Sequence, residues 1–247
     1  MPRPVTVKDH VKYSLTALAD LAMARECIVC GRPLMPEERH ICICCEADMP
    51  FTLFENVPRN PMSDSFNARV AEAAADEWVP YSNAAALFYY RAGYRRISQA
   101  LKYRRDLSAG RHFSHLLGRR LAASGLYDDV DLVVPVPLHW TRRHRRGYNQ
   151  AAVIAKAVAA ELGVAADARL LVRKRRTGTQ TKLSHTERAR NVRGAFRVRR
   201  KAAACHILLV DDVYTTGATL HACYAALRES YGPRLRISVA TLGYVGY

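Results

Sequence analysis

Residues 207–220 read ILLVDDVYTTGATL: an apolar run meets two adjacent carboxylates, then a hydroxyl-rich turn with one glycine. Four consecutive apolar residues, 207–210, predict a strand buried on both faces, the mark of a parallel sheet covered by helices. Asp211 and Asp212 then emerge at the strand's carboxyl end, where open α/β sheets bind ligands. Thr215, Thr216, Gly217, Ala218 and Thr219 form a turn that opens a helix over 218–230. The unpaired N–H groups and positive dipole end of a helix N-terminus make such a turn an anion site. Gly217 lets the backbone come close to a ligand. The acids would repel a phosphate, but they can accept hydrogen bonds from vicinal sugar hydroxyls or hold a magnesium ion. The two halves together describe a site for a phosphorylated sugar.

The rest of the second half repeats this alternation. Buried-type strands are expected at 131–136 and 235–242, and an Ala-rich helix at 149–162 with Asn149 as its N-cap. Strands alternating with helices imply βα crossovers. Upstream, 84–90 reads as a short strand, and 94–103 and 111–123 read as basic amphipathic helices. Residues 50–80 hold four prolines and read as a linker with one helix at 67–76. A helical apolar rhythm also runs over 7–25. The expected organisation is an N-terminal helix and metal-binding unit over 1–50, a linker over 51–83 and an α/β domain over 84–247.

Five of the seven cysteines fall within nineteen residues. Cys27 and Cys30 form one C-x-x-C pair, and Cys42 and Cys45 another, with eleven residues between the pairs. Two such knuckles supply the four soft ligands of a closed, structural zinc site. Gly31 follows the first knuckle, where a left-handed backbone is often needed. Cys44 could replace Cys42 or Cys45 as ligand or stand beside the metal as a spare thiol; His40 is a weaker substitute. Cys205 and Cys223 lack metal spacing and are expected in the core.

The formal charge is +16, and its distribution is uneven. Residues 1–90 carry eight Lys and Arg against twelve Asp and Glu, 91–201 carry 27 against seven, and the remainder three against three. The central excess suits phosphate-bearing partners, single-stranded DNA among them, or forms a solvated basic surface. Within it, FYYRAGYRRISQALKYRR, residues 88–105, offers rings for stacking and cations for phosphates, or else is a strand and helix with a solvated basic face. No apolar run reaches the ~18 residues of a membrane span, and no secretory pattern opens the chain, so the expected location is cytoplasmic. The sequence contains no G-x-x-x-x-G-K-[ST], G-x-G-x-x-G, G-x-S-x-G or H-E-x-x-H.

Residues 207–219 resemble the phosphoribosyl pyrophosphate (PRPP) signature of type I phosphoribosyltransferases. VPVPLHWTRRHRRGYNQA, TGTQTKLSHTERARNVRGAF and the four-cysteine knuckle resemble the ComF family of competence and DNA-uptake proteins. The resemblance runs from about Cys27 to the end of the chain. It implies a type I phosphoribosyltransferase-like parallel sheet flanked by helices, with a small N-terminal zinc ribbon. It implies ribose and magnesium at Asp211 and Asp212, and phosphate at Thr215, Thr216, Gly217, Ala218 and Thr219. It also implies a pyrophosphate loop carrying Arg142, Arg143, Arg145 and Arg146, and a mobile lid over 175–191. The family role implied is DNA uptake during natural transformation, beside a helicase and a membrane DNA channel, which makes the inner face of the membrane a peripheral location. The alternative is an active phosphoribosyltransferase of nucleotide metabolism with an unknown acceptor. Purine-salvage relatives place an acid where Thr215 stands, which argues against that chemistry here.

Overall fold

The computed structural model describes residues 25–74, 78–104, 107–138, 144, 146–174 and 194–246. The N-terminal rhythm at 7–24, the lid at 175–191 and the loop residues Arg142, Arg143 and Arg145 lie outside the described residues.

The strands are β1 (Ala84–Tyr89), β2 (Leu132–Pro135), β3 (Ala165–Ala166), β4 (Leu171–Arg173), β5 (Phe196–Val198), β6 (His206–Tyr214) and β7 (Arg236–Tyr244). Five of them form one sheet in the order β1-β7-β6-β2-β3, with every neighbouring pair parallel. β4 and β5 pair antiparallel beside it. The helices are α1 (Ile43–Ala47), α2 (Pro61–Ala74), α3 (Arg95–Gln99), α4 (Leu107–Ser124), α5 (Gln150–Leu162) and α6 (Ala218–Tyr231). This is the parallel sheet flanked by helices, with a four-cysteine unit near the N-terminus, that the resemblance implies.

Central strands are apolar on both faces, as burial on both sides requires. In β6, Ile207, Leu208, Leu209 and Val210 are all fully buried. α5 packs against β2, β6 and α4. Its start is fixed by Asn149, whose Oδ1 accepts from the Ala151 N–H at 3.2 Å and whose Nδ2 donates to the Val136 carbonyl at 3.0 Å. Gly163, with φ of +71°, ends it in the left-handed conformation that glycine adopts without strain.

Three sequence expectations shift. The helix expected at 67–76 begins six residues earlier, at Pro61, a favoured first helical residue. Asn60 caps it, accepting from the Met62 and Ser63 N–H groups at 3.1 and 2.9 Å, and donates to the Ala84 carbonyl at 2.9 Å. The stretch expected as a linker is therefore packed: Met62 and Phe66 are fully buried, and Phe51 bridges antiparallel to Phe88 at the sheet edge. Second, β6 runs through Tyr214 instead of stopping at Val210, because β7 pairs with it throughout: Asp211 with Thr241, and Tyr214 with Tyr244. Third, Cys223 is buried but Cys205 is exposed, in the turn that enters β6.

Candidate functional site

The four thiols of Cys27, Cys30, Cys42 and Cys45 lie within 4.8 Å of one another. Two tight turns bring them there. The Gly31 N–H donates to the Cys27 carbonyl at 2.8 Å, with φ of +80° at Gly31. The Cys45 N–H donates to the Cys42 Sγ at 3.5 Å at the start of α1. Burial works against a Cys27 thiolate, but N–H groups of Cys30, Cys42 and Val29 outweigh it and lower this thiol to about 7. Four soft donors in one cluster, one of them already favoured as thiolate, fit a tetrahedral metal. Cys44 is exposed and sits outside the cluster, its Sγ 3.8 Å from the Arg32 guanidinium. His40 is also outside, with its ring 5.5 Å from that of His112 on α4. The centre is docked onto the α/β core: Tyr94 donates to the Cys45 carbonyl at 2.9 Å, and Arg96 to the Val29 carbonyl at 3.0 Å.

Asp211 and Asp212 are the sixth and seventh of the nine residues of β6, and alternation along a strand sends their side chains to opposite faces. The Asp212 N–H donates to Asp211 Oδ1 at 2.9 Å. Asp211 is raised from 3.8 to about 7, first by burial and then by the neighbouring Asp212 charge; the Arg173 and Lys102 charges oppose that rise. Asp212 Oδ2 is paired with Lys102 Nζ at 2.5 Å, with only 13% and 23% of these two side chains exposed. Burial weakens the Lys102 charge, but Asp212 more than compensates and holds the ammonium above its usual value. Lys102 lies in the stretch 88–105, whose solvated-face reading fails at this residue. An ion pair spanning 110 positions leaves no periodic trace in a sequence.

The turn after β6 is built as its composition implies. Thr215 is exposed, Thr216 and Thr219 are half-buried, and Gly217 precedes α6 with φ of +70°. The Ala218 N–H has only a long 3.5 Å contact to Thr216 Oγ1. A Cβ on Gly217 would lie 2.5 Å from the Tyr214 hydroxyl. Gly217→Ala is therefore expected to cost about 1–2 kcal/mol through the left-handed backbone alone, with a further loss from the Tyr214 clash. Chemical denaturation measures it, and an unchanged midpoint would show that the turn relaxes freely.

Of the four loop arginines, Arg146 is described, and its Nη1 donates to Gln150 Oε1 at 3.1 Å, at the start of α5. Beside this loop lies a cleft of about 920 Å³. Its rim carries Arg111, Lys156, Arg169, Arg173 and Arg199, its floor includes Ala152, Val153 and Leu171, and no carboxylate is among its described lining residues. The sequence marks the charge excess of 91–201 but not this convergence, because the five cations come from α4, α5, β4 and two loops.

No family model matches the chain. Over 91 residues it is 45% identical to the DNA utilization protein YhgH of Salmonella typhi, covering 36% of this chain and 40% of that one. It is 34% identical over 102 residues to competence protein F of Haemophilus influenzae, covering 40% and 44%. To competence protein ComFC of Bacillus subtilis it is 34% identical over 120 residues, covering 48% and 47%. The chain thus spans less than half the length of the curated relatives it matches. Among solved structures, the glutamine PRPP amidotransferase of B. subtilis, complexed with ADP and GMP, overlaps 54% of this chain and 26% of that one, at 19% identity and a TM-score of 0.35. These relatives, named for competence and DNA utilization, are what the chain is similar to, in line with the ComF resemblance that its motifs carry.

Proposed function

We propose that the chain binds a phosphorylated ribose of the PRPP type with magnesium and acts in DNA uptake during natural transformation. One observation carries the ligand: two adjacent acids and an open helix N-terminus share one strand-turn-helix at the carboxyl end of a parallel sheet. Ribose hydroxyls fall to Asp211 and Asp212, and the 5′-phosphate to Thr215, Thr216, Gly217, Ala218 and Thr219. Magnesium suits the oxygens of Asp211 and the Asp212 Oδ1, which has no partner among the described residues. Arg146, with Arg142, Arg143 and Arg145, supplies charge for a diphosphate. The metal of the four cysteines is zinc in this reading. The cellular role draws on the relatives named for competence and DNA utilization. A cytoplasmic site of action, with helicase and membrane-channel partners at the inner face of the membrane, follows from that role; no described helix is long and apolar enough to cross a membrane. Isothermal titration with PRPP, with and without magnesium, tests the ligand, and heatless mixing in both conditions would remove it.

Single-stranded DNA is the second ligand, bound weakly through the 91–201 charge, with the basic cleft as its strongest patch. Log affinity should fall with log salt at about −0.7 per phosphate neutralised. The double variant Lys156→Glu/Arg169→Glu should flatten that slope. A salt-independent affinity in the unmodified protein would sink this reading even if binding were seen.

A further inference from the structure

The charge of each β6 acid is opposed by a cation from another part of the chain. Arg173, at the end of β4, opposes the charge of Asp211, and Lys102 pairs directly with Asp212.

Lys102 is held in place from several sides. It lies in a π-helical turn, Ala100–Arg104, that continues α3, and turns of this kind concentrate at functional sites. Leu101 beside it is fully buried against Gly110, where an added Cβ would come within 2.0 Å of the leucine Cδ2. The Tyr148 hydroxyl, from the segment of the loop arginines, donates to the Leu101 carbonyl. The Lys102 side chain is therefore delivered by a braced backbone, unlike a surface lysine that meets an acid by chance. With its ammonium on Oδ2, Asp212 keeps Oδ1 as an acceptor. A carboxylate fixed through one oxygen is oriented at the other, and orientation is what a hydroxyl ligand needs.

We propose that Lys102 is a positioning residue of the sugar site: by holding Asp212 through Oδ2 it presents Oδ1 to a ribose hydroxyl. This rests on the sugar-phosphate reading above and adds a residue to it. Lys102 acts through Asp212 and makes no contact with the phosphate.

The test compares ribose 5-phosphate, its 2,3-dideoxy analogue and inorganic phosphate by titration calorimetry on the full chain. The unmodified protein should prefer the diol by at least about tenfold, the value of one charge-assisted hydrogen bond. Lys102→Met should lose most of that preference while its affinity for inorganic phosphate stays within about threefold, and Lys102→Arg should restore it. In an Asp212→Asn background, Lys102→Met should change the preference no further, a result that a general loss of folding would not produce. Full diol preference in Lys102→Met overturns the inference and leaves the sugar site standing. A parallel fall in phosphate affinity also overturns it, since Lys102 would then serve the phosphate or the fold. Absence of diol preference in the unmodified protein overturns the sugar-site reading and this inference together.

Discussion

Protein purified under reducing conditions is expected to carry about one zinc ion per chain, because four thiolates saturate a tetrahedral site. Structural zinc contributes apparent binding energies of about 10–16 kcal/mol in small domains near neutral pH, so its loss is the largest single effect expected here. Cys42→Ser and Cys45→Ser should each abolish stoichiometric zinc. Cys44→Ser should retain it, since that thiol lies outside the cluster. Chelation should also loosen the dock of this unit on the core, where Tyr94 and Arg96 reach backbone carbonyls of Cys45 and Val29. Elemental analysis decides it: a folded, reduced sample without metal would rule the centre out.

The second large effect belongs to the β6 acids. The double variant Asp211→Asn/Asp212→Asn is expected to stay folded and lose ribose 5-phosphate and PRPP binding. Each charge-assisted hydrogen bond removed costs about 1.5–3 kcal/mol, so two together weaken affinity by roughly two to four orders of magnitude. Calorimetric titration reads this directly, and wild-type PRPP affinity in the double variant would remove the acids from the site. Stability carries a separate signature. Burial beside Asp212 raises Asp211 from 3.8 to about 7, so the folded state holds this proton more tightly than the unfolded chain. Its contribution to stability is therefore full below about pH 4 and falls as pH rises towards 7. Asp211→Asn should remove that downward slope, which unfolding midpoints across the window would show.

Much of this architecture is local and therefore legible in the sequence. The run ILLV could only be a doubly buried strand. Asn149 had the right side chain to cap α5, and does. Gly217 and Gly31 stand where the backbone turns left-handed, and two C-x-x-C pairs converge on one cluster. In each case the chemistry acts between residues a few positions apart, so spacing alone carries it.

What the tertiary structure decided is what depends on distant partners. The length of β6 is set by β7, whose Thr241 and Tyr244 keep pairing past the acids. The choice among Cys42, Cys44 and Cys45 is made by α1, whose turn aims Cys44 outwards towards Arg32. The proline-rich stretch before β1 became a packed helix because Asn60 both caps α2 and bonds Ala84. Lys102 came to pair with Asp212 only because the π-turn after α3 brought it there. The basic cleft formed only when α4, α5 and β4 met. Ion pairs and clefts join residues a hundred positions apart, and nothing in the spacing of either partner encodes the other.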